Sequence, residues 1–111
     1  FSLSPNLVTD TFTKIAPEVI RGEDYDEKVD IFSFGMILWE LLTRTKPYEN
    51  QNFMATTMDV LKGIRPAIPA KTPSEYAKIV KKCWHGEPDK RPSLDSILQY
   101  FDGELGTDNN V

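Results

Sequence analysis

The chain has 111 residues, 40% hydrophobic and 27% charged, an ordinary balance for a soluble globular protein and unlike a disordered one. With 13 Lys and Arg against 17 Asp and Glu the formal net charge is −4, which argues against a nucleic-acid footprint and an electrostatically held membrane module. A single cysteine, Cys83, excludes an internal disulfide framework and a Cys₄ or Cys₂His₂ zinc site, and the lone His85 leaves one possible base for any nucleophilic triad.

In chain order, residues 1–15 read as loop. Pro17 suits the first turn of a short helix that Gly22 ends. The acidic run Glu23, Asp24, Asp26, Glu27 lacks calcium-loop spacing, so Asp26 reads as an N-cap. A helix over 27–44 follows, stopped at Thr45-Lys46-Pro47. The next starts near Asn50, carries Met54, Met58 and Leu61 at i, i+4 and i+7, and ends at Gly63. Arg65-Pro66-Ala67-Ile68-Pro69 must be extended, because each proline biases its predecessor away from the helical region. A helix over 73–84 buries Tyr76, Ala77, Ile79, Val80, Cys83 and Trp84. The last begins at an N-cap Ser93, with Leu94, Ile97, Leu98 and Phe101 on one stripe, and from Gly103 the chain is polar and expected to fray. No strand pattern is found, so the class is all-α. The longest apolar-rich stretch, 31–42, is interrupted by Ser33, Gly35 and Glu40 and falls short of the roughly 20 residues that span a bilayer.

That stretch is anomalous for a small protein. On a helical wheel its apolar residues cover an arc of roughly 260°, where a surface helix shows a stripe a little over about 100° wide. Such a helix belongs at the centre of a larger domain. Asp30 falls inside the arc, where a carboxylate needs donors; it either caps the helix start or holds something this chain does not contain. The first residue is Phe1 rather than Met, so the expectation is a processed product or a cut from something longer.

Ala16-Pro17-Glu18, Asp30-Ile31-Phe32-Ser33-Phe34-Gly35, Leu38-Trp39-Glu40-Leu41, Lys46-Pro47-Tyr48, Arg65-Pro66-x-Ile68-Pro69, Cys83-Trp84 and Arg91-Pro92-Ser93 occur in the order seen in protein kinases. The chain resembles the C-terminal lobe of that family over residues 11–102, on the Ser/Thr or tyrosine-kinase-like branch. The resemblance implies an all-α lobe around one central hydrophobic helix, with 1–15 an activation and substrate-binding segment, 16–102 the helical lobe and 103–111 a polar tail. It implies that Ala16, Pro17, Glu18, Asp30, Trp84 and Arg91 are structural motif residues: Glu18 pairs with Arg91, and Asp30 accepts hydrogen bonds from a catalytic loop upstream of Phe1. Thr11 and Phe12 are the implied substrate-binding residues, Thr11 favouring a Ser/Thr acceptor.

The sequence departs from the family pattern too. Phe1-Ser2-Leu3-Ser4 is similar to a Phe-Gly-Leu-Ser element with Ser2 for glycine, Asp10 replaces a glycine, and Lys14-Ile15 stands where relatives carry Trp-Met. Phosphoryl transfer needs a glycine-rich loop, a Lys–Glu pair, a catalytic Asp, an Asn and a magnesium-binding Asp, and none of the corresponding motifs occurs. The resemblance therefore implies no catalytic, cofactor-binding or metal-binding residue in this chain, with ATP and Mg²⁺ used by the whole kinase. The implied function is the lobe of a kinase that phosphorylates protein Ser/Thr; the alternative is a pseudokinase lobe acting as an interaction scaffold. Expected partners are the protein substrate, the remainder of the kinase domain and a second copy through exposed apolar surface, with no nucleic acid and no membrane. A cytoplasmic location is the default expectation.

Overall fold

The computed structural model describes residues 12–109, and of 104–109 the backbone alone. Among the described residues there is no strand; five α-helices and one 3₁₀ turn make up the regular structure. Helix α1, Pro17–Ile20, starts where the proline's fixed φ suits a helix and its missing N–H costs nothing. It ends at Gly22, whose φ of +73° turns the chain away.

Helix α2, Lys28–Thr43, is entered through Asp26, whose Oδ1 accepts from Lys28 N at 2.9 Å. It stops at Arg44 in the left-handed region, ahead of the expected Thr45-Lys46-Pro47 break, with Arg44 N donating to Glu40 O at 2.7 Å. Helix α3, Phe53–Leu61, begins three residues later than expected because Asn52 takes the N-cap, its side chain accepting from Ala55 N at 2.8 Å. After Gly63 the segment 64–69 forms no helix or strand. Helix α4 is Ser74–Cys83, the 3₁₀ turn is Pro88–Lys90, and helix α5 is Leu94–Asn109. Ser93 Oγ accepts from Ser96 N at 3.1 Å and caps α5, which continues beyond Gly103 instead of fraying there.

The core lies between α2 and α4, closed by Val60 of α3 and Ile97 of α5. Phe32, Met36, Val80 and Cys83 are fully buried. The two helices approach closely at Gly35, where an added Cβ would sit 2.8 Å from Cys83 Cβ and 3.2 Å from Trp84 N. Trp39 Nε1 donates to Ala67 O at 2.8 Å, and Tyr76 Oη donates to Leu38 O at 2.7 Å. Both bonds satisfy polar tips of otherwise apolar side chains.

Some faces differ from the sequence reading; Tyr76 and Ala77 of α4, expected to be buried, are half-buried at the helix's edge. Asp30 is exposed, not buried, because the side of α2 that carries it is left open; Ile37 and Leu41 of α2 are exposed as well, with Phe34 half-buried. Met54, Met58 and Leu61 are also exposed: α3 turns Thr56 and Val60 inward instead, toward α1. Among the described residues no helix is long and apolar enough to cross a membrane.

Candidate functional site

The segment running into α1 is tied to the lobe from several sides. Ser33 Oγ of α2 donates to Lys14 O at 2.7 Å, and Lys14 Nζ lies 2.9 Å from Glu40 Oε1. Ala16, at the head of α1, is buried beside Pro17. Glu18 follows, only 2% exposed, and faces Arg91, also 2% exposed, from 73 residues away in sequence. Arg91 Nη1 donates to Glu18 Oε2 at 2.7 Å and Nη2 to Oε1 at 2.8 Å, a bidentate fork that fits the planar guanidinium to the carboxylate.

The rest of the guanidinium is satisfied by backbone. Nε donates to His85 O at 2.8 Å, and Nη1 also donates to Lys28 O at 2.9 Å. Lys28 Nζ returns a bond to Arg91 O at 2.6 Å. Burial pushes the Glu18 carboxyl up, but the Arg91 hydrogen bonds and charge more than offset this and hold it below the ordinary value of 4.5. A buried pair in which both carboxylate oxygens and all three guanidinium nitrogens are engaged in this way is a fixed joint between α1 and the start of α5.

Sequence reading did not find the ring under this joint. Arg91 Cζ and Arg65 Cζ each lie 5.1 Å from the centroid of Phe32, within cation–π range. Arg65 in turn donates from Nε to Trp84 O at 2.9 Å and from Nη1 to Val60 O at 3.1 Å and Ile64 O at 3.0 Å. Nothing local in sequence links positions 32, 65 and 91. The available signal was compositional: two arginines, each followed by proline, on a chain whose central helix is apolar over most of its circumference.

The implied site residues therefore divide. Glu18 and Arg91 meet, with Ala16 and Pro17 beside them, and Trp84 is buried with its carbonyl on Arg65. Phe12 packs edge-on against Phe53, with ring centroids 5.3 Å apart at 75°. Asp30 stands apart, lining a groove of about 450 Å³ with Ile31, Phe34, Ser93 and Leu94. Thr11 lies outside the described residues.

Among the described residues, neither Cys83 nor His85 is placed as a nucleophile or base. Burial pushes the Cys83 thiol up to about 11, and His85 Nδ1 accepts from Glu87 N at 3.0 Å. Among the described residues no group of three or more His, Cys, Asp or Glu could hold a metal ion. The donors among the described residues make no set that fits magnesium or a nucleotide.

A family model described as protein tyrosine and serine/threonine kinase matches residues 9–101. A protein of Acanthamoeba polyphaga mimivirus, named as a serine/threonine-protein kinase/receptor, is 48% identical over 86% of this chain and 6% of its own length. A second viral protein of the same description is 52% identical over 75% of this chain and 5% of its own. A protein of Dictyostelium discoideum, named as a LIM domain-containing serine/threonine-protein kinase, is 45% identical over 86% of this chain and 10% of its own. The chain spans a tenth or less of the length of each of these relatives.

Proposed function

The chain belongs to the protein tyrosine and serine/threonine kinase family, and from that premise we propose that it is the substrate-seating part of a kinase that uses ATP and Mg²⁺ to phosphorylate serine and threonine in proteins. In this reading 1–15 is the activation and substrate-binding segment, 16–102 the lobe and 103–111 the tail. Thr11 and Phe12 seat the acceptor; Ala16, Pro17, Glu18, Trp84 and Arg91 hold that segment to the lobe. The chain supplies no group that transfers phosphate.

The observation that carries the reading is the contrast between two carboxylates. Glu18 is buried and fully paired within the chain, so its work is complete here. Asp30 lies exposed at the edge of an open apolar groove, the place for a backbone segment that brings its own N–H donors and apolar side chains. Asp30 is in this reading a positioning residue for the catalytic loop.

The test is Asp30→Asn in two settings. In the 111-residue chain the substitution leaves stability within about 0.5 kcal/mol, as for other exposed positions. In the longer kinase, phosphate transfer from labelled ATP to a serine- and threonine-containing protein falls by about 100-fold, the cost of misplacing a catalytic group by an ångström. Equal transfer by Asp30→Asn and the parent overturns the role of Asp30. Absence of transfer by the parent itself supports the scaffold alternative, for which Ser2 and Asp10 speak in the sequence.

A further inference from the structure

Helix α2 is apolar from Ile31 to Leu42 except at Gly35 and at two polar side chains, Ser33 and Glu40. Both polar side chains turn to the same residue, Lys14 of the segment that enters α1. Ser33 Oγ donates to Lys14 O at 2.7 Å, and Lys14 Nζ lies 2.9 Å from Glu40 Oε1. Ser33 and Glu40 are seven positions apart, about two turns, and so share one face of the helix. Lys14 is therefore held at its carbonyl and at its ammonium by one face of the central helix. We propose that Lys14 and Glu40 are a positioning pair for the protein substrate, a role that rests on the substrate-seating reading of this segment. The pair fixes the turn 12–15 over α2, so that Phe12 meets the acceptor segment in one place.

The pair differs in kind from the surface ion pairs among the described residues. Arg21–Glu23, Lys78–Glu75 and Lys90–Glu87 join near neighbours in sequence, and their side chains are 40% to 66% exposed. Water screens such pairs, and they contribute little. Lys14 and Glu40 are only 20% and 22% exposed, and they join two separate stretches of chain. Charges largely withdrawn from water are screened less. Neutralising Lys14 leaves the Glu40 carboxylate half-buried and short of its counter-ion, so the cost falls on this contact.

The turn is restrained on several sides, and the pair supplies the restraint beneath it. Phe12 packs edge-on against Phe53 of α3, which limits it from the side. Glu18 and Arg91 hold α1 behind it. Within the turn, Ile15 N donates to Phe12 O at 3.4 Å, a long and weak bond. The shape of the turn therefore depends on what grips Lys14. Order present before binding lowers the cost of seating a substrate, so loosening this grip weakens binding of the protein substrate. Lys14 also stands where the sequence departs from the family pattern, so this grip is not one the resemblance implies.

The experiment measures initial rates of phosphate transfer from ATP to a serine- and threonine-containing protein by the longer kinase. The parent is compared with Lys14→Met, Glu40→Gln and the swapped double variant Lys14→Glu/Glu40→Lys. Lys78→Met, which removes an exposed pair on α4, is the control. For the two single variants the KM for the protein substrate is expected to rise about tenfold, with kcat and the KM for ATP unchanged. The swapped variant should recover most of that loss, and Lys78→Met should match the parent. Single variants that keep the parent's KM overturn the proposal. So does a joint worsening of kcat and both KM values, the mark of a lobe loosened as a whole, or a swap that recovers nothing. Should a single variant fail to fold, Lys14→Arg and Glu40→Asp replace it. The arginine is expected to keep the parent's KM and the shortened carboxylate to raise it; Glu40→Asp at the parent's KM overturns the proposal. A parent that transfers no phosphate overturns the substrate-seating reading and this role with it, whereas an active parent with unaffected variants overturns this role alone.

Discussion

Arg91 directs four hydrogen bonds to groups on three separate stretches of chain: Glu18, Lys28 and His85. Truncating one member of such a pair strands the other charge in the interior, so Arg91→Ala is expected to lose about 3–5 kcal/mol in denaturant unfolding. Glu18→Ala should lose a comparable amount, and the double variant clearly less than the two together. Equal melting of Arg91→Ala and the parent would show that the joint carries no load. The pH dependence has a definite sign. Because the folded Glu18 carboxyl lies below 4.5, its contribution is full above that value and is lost as pH falls below it. Glu18→Gln should therefore flatten the acid side of the stability profile. Both partners were legible in sequence through the motifs around them. Lys28, Phe32 and Arg65 were not, because a chain fold brings them together and no local pattern records it.

Helix α2 shows what periodicity can and cannot reveal. Its 260° apolar arc identified the central element, yet the wheel could not say which sector this chain covers. The sector holding Asp30, Ile37 and Leu41 is open, so Asp30 is wet where the arc implied burial. For α3 the same periodicity selected the outward face, since Thr56 and Val60 do the inward packing. Gly35 had meaning beyond its place in a motif: it sets the distance between α2 and α4. Gly35→Ala gains about 1 kcal/mol of helix propensity, but its Cβ would sit 2.8 Å from Cys83 Cβ, an overlap that costs about 1–3 kcal/mol or more. The expected net result is a lower denaturation midpoint. Cys83→Ala should not rescue it, because the opposing atom is Cβ and Trp84 N stands at 3.2 Å. A stabilised Gly35→Ala variant would mean that the helices can separate freely.

For the molecule as a whole, the fold class and the helix order were readable, while the extent of the open surface was not, since it depends on which faces find neighbours. Ile37 and Leu41 lie on the central helix, yet are 39% and 57% exposed. On the proposed reading, a central helix that is half wet takes its remaining wall from elsewhere in the kinase domain. That gives paired expectations for the double variant Ile37→Gln/Leu41→Gln. In the 111-residue chain both side chains already meet water, so each change should move unfolding free energy by no more than about 0.5 kcal/mol. In the longer kinase the same positions face packed neighbours, and placing an amide there loses apolar burial and leaves a polar group without partners, about 2–5 kcal/mol for each site. Parallel denaturant melts of the two proteins make the comparison. Equal sensitivity in both would mean that the open side of α2 stays open in the whole kinase, and that Asp30 and its groove await no further segment of the domain.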